Sequence, residues 1–486
     1  MWGLAETGNM PVELSKNFRV LRTWIHNALG IKVCVLQQVD STEKKLFVYP
    51  PRPEFEGVPF CGGLLCSLNW QNIKSLVQTF PELKPTTIPP SWPSFGFGDR
   101  LGLATPGHIQ ALYGAKVFPV LAQQSMRENA RTGRTFADVL SDALVGVLQT
   151  GWSKGYGADA DHLKDIEEAR NAARLGYSFF TCDPSDLLVP VERLAVQDVL
   201  RASRELPVST LRSEYLGRSF SVPELGNINF TKDELLRIAV KYWQALKFAE
   251  EMYQALQEEL SQGFDFELSV DETLEPTTVK EHLFLALELR RREIRLTSLA
   301  PRFPGVMEKA VDYQGDPQVF QQALRAHVAI AQKFGPYRIS LHSGSDKWKL
   351  YPVLARETQG VWHVKTAGTS YLVALQVIAH VSPTLFREIL RCACEHFSKD
   401  RQGYHISTEL REAPDSSDFP DSALPELFKS ASVRQILHVT FGSVLKVYGE
   451  DIKRTLLAHE EEYYQALAHH LGRHLEALGV KDDGKL

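Results

Sequence analysis

The chain has 486 residues, 44% hydrophobic and 23% charged, which is ordinary globular usage and excludes a disordered or fibrous protein. Its 54 Lys and Arg against 59 Asp and Glu leave a net charge of −5, with no long basic block of the kind a nucleic-acid partner requires. No apolar run approaches the ~18 residues of a membrane helix, the N-terminus lacks a basic-then-apolar leader, and the six cysteines include no CxxC pair, so the expectation is a cytoplasmic protein with no membrane partner.

In chain order, residues 1–95 read as an N-terminal cap segment. Short strands are expected at 32–39 and 46–49, before a crossing stretch punctuated by Pro85, Pro89, Pro90, Pro93, Gly96 and Gly98. From about residue 116 short β-rich runs alternate with amphipathic stretches. The expected strands are 117–122, 155–160, 178–182, 264–270, 294–299, 338–342, 362–366 and 437–441. Helices are expected between them, for example over 278–292 and 371–380. The first of these ends in Arg290-Arg291-Arg292, where cations suit the helix dipole. Strand–helix alternation means parallel pairing, and eight such units predict an α/β fold, a TIM (β/α)8 barrel. The catalytic barrel is placed at 96–450, with helical insertions at 187–260 and 383–432 and C-terminal helices over 451–486.

A barrel of this kind carries its site at the C-terminal ends of its strands. The second expected strand ends in Asp159-Ala160-Asp161-His162-Leu163-Lys164, which suits a divalent metal with a neighbouring base, or equally an Asp-rich helix-capping loop. Asp183-Pro184-Ser185-Asp186, after the third, reads as turn and N-cap chemistry. After the fourth come Asp271 and Glu272. Thr278 and Glu281 form a capping box that needs neither acid, so the pair either shares a cation or proton or is simply solvated. Arg302 follows the fifth strand and can hold a carboxylate through two hydrogen bonds, and Glu308 lies farther along that loop. The sixth ends in His342, with Lys347 beyond a Ser-Gly-Ser turn, and the seventh in Lys365 before a hydroxyl-rich helix start. Three features are discounted. Gly151-Trp152-Ser153-Lys154-Gly155 matches GxSxG in the wrong context, and Cys392, Cys394 and His396 lack a second half of a zinc site. His469, His470 and His474 read as part of a solvated helix face.

Together the segments FGFGDRLGLATPGHIQA (95–111), PVLAQQSMREN (119–129) with TGRT (132–135), GYGADADHLK (155–164), SLAPRF (298–303), LHSGSDK (341–347) and HVKTAGTSYL (363–372) carry a resemblance to the tagaturonate epimerase family of bacterial hexuronate catabolism. Asp183-Pro184-Ser185-Asp186 departs from the family pattern. The resemblance implies a metal-dependent barrel isomerase interconverting D-tagaturonate and D-fructuronate. It implies Asp161 as proton acceptor, Glu272 as proton donor, and His162, His342 and Glu308 as metal ligands. Arg302, Lys347 and Lys365 are the candidate holders of the substrate carboxylate. The cofactor expected is a divalent cation, with Mn, Zn, Ni, Co and Mg not distinguished, and the partner is a small sugar or sugar acid. Homo-oligomerisation is left open.

The inverting carbon of these ketouronates is β to the ketone, so its proton is not acidic. Reversible retro-aldol cleavage is the chemistry expected. The alternatives are an epimerase of neutral ketohexoses, a metal-dependent sugar-acid aldolase, and a non-catalytic sugar-binding protein.

Overall fold

The computed structural model describes residues 12–482 other than 40, 42 and 405. Near the N-terminus a five-stranded antiparallel sheet is built from β1 (Phe18–His26), β2 (Ile31–Gln38), β3 (Lys44–Tyr49), β4 (Gly57–Phe60) and β5 (Gly63–Cys66), in the order β1-β2-β3-β5-β4. Apolar side chains on one of its faces, Val33, Val35, Leu46 and Val48, join the core of the rest of the chain. Trp24 Nε1 donates to the carbonyl of Leu148 at 3.0 Å and ties the sheet to the helix Phe136–Thr150.

The body is a closed barrel of eight parallel strands: β6 (Ser94–Phe97), β7 (Phe118–Ser125), β8 (Gly157–Leu163), β9 (Phe179–Cys182), then, after the hairpin β10 (Phe220–Val222) and β11 (Gly226–Ile228), β12 (Asp265–Val270), β13 (Ser298–Pro301), β14 (Arg338–Leu341) and β15 (Trp362–Thr366). β15 closes on β6 through the His363–Ser94 to Thr366–Phe97 register. The helices Val279–Arg291 and Thr369–Val381 fall where the periodicity places them, the first under the Thr278–Glu281 capping box. Residues 187–260 hold the helices Val196–Ala202 and Val208–Tyr215, the β10–β11 hairpin and the 28-residue helix Lys232–Glu259.

One barrel strand lies elsewhere than expected. Residues 437–441 are the end of the helix Ala431–Val439 and the start of the helix Phe441–Ala458, not a strand. Ile436, Leu437, Val439 and Phe441 are all fully buried, and a short apolar run reads the same in a buried strand and a buried helix. The missing strand is β6, four residues inside the Pro- and Gly-rich stretch, so the barrel starts at Ser94. Its glycines mark close approach rather than a loop. A Cβ on Gly98 would stand 2.5 Å from the carbonyl oxygen of Ala367, and one on Gly96 would stand 2.3 Å from Gln123 Oε1.

Candidate functional site at the barrel mouth

In β8 the run Gly157-Ala-Asp-Ala-Asp-His-Leu alternates small and acidic residues, so Asp159 and Asp161 share a face. They point into the barrel, where Lys365 from β15 meets them. Lys365 Nζ lies 2.8 Å from Asp159 Oδ2, 2.7 Å from Asp161 Oδ1 and 2.8 Å from Glu267 Oε1 of β12, and donates to Thr181 Oγ1 at 2.6 Å. All five side chains are buried. Burial opposes the Lys365 charge, but the three carboxylates outweigh it and hold the ammonium well above its usual range. Burial likewise works against Asp161, yet Lys365, His162 and His342 keep it ionised, well below the usual carboxylate range. Asp159, deeper in the barrel, is pushed up to about 6 by burial despite Lys365. The second oxygen of Asp161 accepts from Gln123 Nε2 at 3.2 Å.

Above this layer sit the two imidazoles, their ring centroids 5.0 Å apart. His162 has φ +53°, the left-handed region that a bulky side chain rarely enters and that concentrates at functional sites. Its Nδ1 donates to Asp183 Oδ2 at 2.9 Å, while Nε2 stands 3.9 Å from Asp161 Oδ1. His342 Nε2 donates to Glu267 Oε1, and its Nδ1 faces Asp271 Oδ1 at 3.5 Å. Burial opposes protonation of His342, but Glu267 and Asp271 raise it to about 10. His162 is raised as well, with Asp161 and Asp183 outweighing burial.

Ligand atoms of His162, Asp183 and Glu272 lie within 4.8 Å of one another. The imidazole of His162 and the carboxylate of Glu272 are nitrogen and oxygen donors that suit a divalent cation, with Asp183 hydrogen-bonded behind the imidazole. His162 Nε2 carries no hydrogen bond among the described residues, and the Nδ1–Asp183 bond fixes the tautomer that presents Nε2 as a donor. The structure therefore joins His162 and Glu272 and brings His342 beside them. It also adds Asp183, which the sequence had left as turn chemistry.

The other expected site residues lie apart from this cluster. Glu308 is buried, but its Oε2 accepts from Ser407 Oγ at 2.9 Å and Gln435 Nε2 at 2.7 Å, and it shares no donor cluster with either histidine among the described residues. Lys347 spends its donors on the carbonyls of Glu308 (3.1 Å), Val311 (2.6 Å) and Ser345 (3.0 Å), with burial pulling it down to about 7. Lys347 thus braces its loop, and Lys365 is surrounded by three acids and a hydroxyl inside the barrel. Arg302 is half-buried, with Nη1 3.4 Å from the carbonyl of Asp271.

The terminal-helix histidines also need correction. His474 is fully buried, and its Nδ1 donates to the carbonyl of His470. His470 Nε2 donates to Asp346 Oδ1 at 2.9 Å, and the backbone N–H of Asp346 donates to His474 Nε2 at 3.2 Å. Arg434 pairs with the other Asp346 oxygen, so the group joins the helix Glu460–Ala477 to the loop after β14 rather than facing solvent.

Residues the sequence reading passed over include Glu267, Thr181, Gln123 and Lys309. Glu267 carried a usable signal, since Phe264–Val270 alternates apolar residues with Asp265, Glu267 and Ser269, and an acid on the inner face of a buried strand must find a cation. Lys309 is half-buried. Burial lowers its ammonium, and Asp271 is the strongest opposing pull.

The profile of a family described as tagaturonate epimerase matches residues 31–478. A Thermotoga maritima protein named tagaturonate/fructuronate epimerase is 47% identical over 431 residues, 87% of each chain. The native crystal structure of fructuronate-tagaturonate epimerase from Cohnella laeviribosi superposes with a TM-score of 0.90 at 36% identity, covering 96% of this chain and 98% of that one. A glycerol complex of the same enzyme gives 0.90 at 35% identity over the same shares.

Proposed function

Since the chain belongs to the tagaturonate epimerase family, we propose that its barrel mouth interconverts D-tagaturonate and D-fructuronate by reversible carbon–carbon bond cleavage. The observation that carries this reading is the His162–Asp183–Glu272 cluster beside the ionised Asp161 and His342, at the strand ends where barrel enzymes do chemistry.

The two ketouronates differ at C4, two bonds from the C2 ketone. A carboxylate accepts the proton of the C4 hydroxyl, the C4–O bond becomes a carbonyl, and the C3–C4 bond breaks. Its electron pair forms the C2–C3 double bond and leaves the ketone oxygen negative. A divalent cation would be held by His162 and Glu272, with Asp183 hydrogen-bonded behind the imidazole and His342 beside it, and would supply Lewis-acid stabilisation of that charge. Rotation of the aldehyde about C4–C5 exposes its other face. Re-addition of C3 gives the epimer, and the C4 oxygen recovers its proton. No oxidant or reductant is needed.

Asp161 stands close to His162 and suits the role of proton acceptor, returning the proton after re-addition, while Glu272 would serve the cation. Lys365 and Gln123 hold the two oxygens of Asp161 and so fix its orientation. Lys365 is not set up for imine chemistry, because its acids keep it protonated.

The test is direct. Metal-stripped protein is incubated with D-fructuronate in deuterated water, Mn²⁺ is added, and the sugar is followed by NMR. The expected result is tagaturonate only after metal, with C4 carrying protium. Deuterium at C4 overturns the bond-cleavage route, and accumulation of three-carbon products makes the protein an aldolase. Turnover of neutral ketohexoses alone changes the substrate.

A further inference from the structure

The cleavage proposed above leaves the substrate carboxylate on the three-carbon aldehyde, so something must hold that fragment while C4 turns over. Of the cations around the mouth, Lys347 is filled by three carbonyls and Lys365 by three acids and Thr181. Lys164 faces Asp183 and Asp186 at the outer rim. Lys309 differs from these. Among the described residues its side chain donates to Ser343 Oγ at 3.1 Å, the residue after His342, and no carboxylate oxygen lies within 4 Å of Nζ. The charges that act on it come from both sides of the mouth: Asp271 and Glu272 after β12, and Arg127 and Glu128 after β7.

The backbone under Lys309 is also pinned. Gln435 donates to the Lys309 carbonyl at 3.2 Å and to the Glu308 carboxylate, Lys347 donates to the Glu308 carbonyl, and Ala310 turns the chain at φ +61°. The ammonium is thus presented from a rigid turn next to His342, with donors to spare.

We propose that Lys309 is the anchor for the substrate carboxylate. The inference rests on the uronate reading above. An ammonium is a compact point charge, unlike the planar guanidinium fork, so it retains the fragment by its carboxylate while the aldehyde end pivots. Arg302, which could grip a carboxylate through two parallel bonds, would resist that pivot.

The experiment compares holoenzyme with Lys309→Met, Lys309→Arg and Arg302→Met variants, each checked by thermal melting. The wild type is assayed first, since its failure to epimerise uronates would sink the uronate reading, not this assignment. For Lys309→Met the KM for D-fructuronate should rise about 10- to 100-fold, the weight of a charge-assisted hydrogen bond. Release of the three-carbon aldehyde acid per epimerisation should rise with it. Inhibition by the neutral ketose D-tagatose should stay within about twofold of wild type. Lys309→Arg should recover most of the KM but not the kcat. The assignment is overturned if the uronate KM stays within about twofold, if uronate and neutral ketose weaken together, or if the loss appears in Arg302→Met instead.

Discussion

His162 Nδ1 lies 2.9 Å from Asp183 Oδ2, and this one contact orients the imidazole whose Nε2 stands 3.9 Å from Asp161 Oδ1. Asp183 is itself fixed, because its other oxygen accepts from the backbone N–H of Ser185 at 3.0 Å. A carboxylate behind a metal-binding imidazole sets its tautomer and raises its basicity. Asp183→Asn should therefore weaken Mn²⁺ binding by about 10- to 100-fold, read by competition with a chelator, while the fold survives. A dissociation constant unchanged in the variant would remove Asp183 from the metal centre.

Lys365 balances Asp159, Asp161 and Glu267 inside the barrel. Replacing it with Met leaves three buried acids around an apolar chain. The expected loss is about 3–5 kcal/mol or more in a denaturant titration, because breaking a buried ion pair strands the remaining charge. Adding Asp159→Asn should recover part of it, since Asp159 already sits at about 6 and is the acid most readily kept neutral. A Lys365→Met protein as stable as wild type would contradict the charge balance described here.

Gly96 leaves the space that Gln123 occupies while donating to Asp161. A methyl group there meets the far end of a flexible side chain, not backbone, so Gln123 can swing away and the fold should tolerate the change. Gly96→Ala should lower kcat by about 10- to 100-fold with little change in melting temperature, the scale of a small misplacement near reacting atoms. Loss of folding with no separable kinetic effect would mean that the glycine serves the β6–β7 packing alone.

The acid limit of stability should be set in part by buried neutral histidines away from the mouth. His327 shares a 2.9 Å Nδ1–Nδ1 hydrogen bond with His282, and burial lowers it to about 4. Its folded value lies below the unfolded one of 6.5. Its contribution is therefore present above that value and drains away as pH falls toward 4, by about 2 kcal/mol at pH 5. The drop in melting temperature between pH 7 and 5 should be smaller in His327→Gln than in wild type. Equal drops would show that this pair does not titrate with unfolding.

How much of the site could be read from residues alone depends on where each side chain's partner comes from. Asp161, His162, Glu272 and His342 could be singled out because the barrel rule selects strand ends, and the structure brings these strand-end residues together at one mouth. Lys347 was equally legible as a cation, but its three acceptors were not, because they are backbone carbonyls from the loop at 308–311 and from its own turn. Asp183 sits in an ordinary turn sequence, and only the approach of β8 to β9 puts His162 against it.

The same division holds for the fold. The alternation of short apolar runs with amphipathic stretches determined a parallel barrel, because a strand buried on both faces and a helix with one apolar side leave different periodicities in the chain. It also placed seven of the eight strands. The eighth, Ser94–Phe97, was invisible because Gly96 within it and Gly98 just after it are required by neighbours distant in sequence, Gln123 and Ala367. The apolar run at 437–441 stayed ambiguous until packing made it helical. Residue types declared which groups could move protons or hold a cation. Only the closed barrel decided which charges cancel, as around Lys365, and which remain for a ligand, as at Lys309, since that depends on distances no local stretch of chain contains.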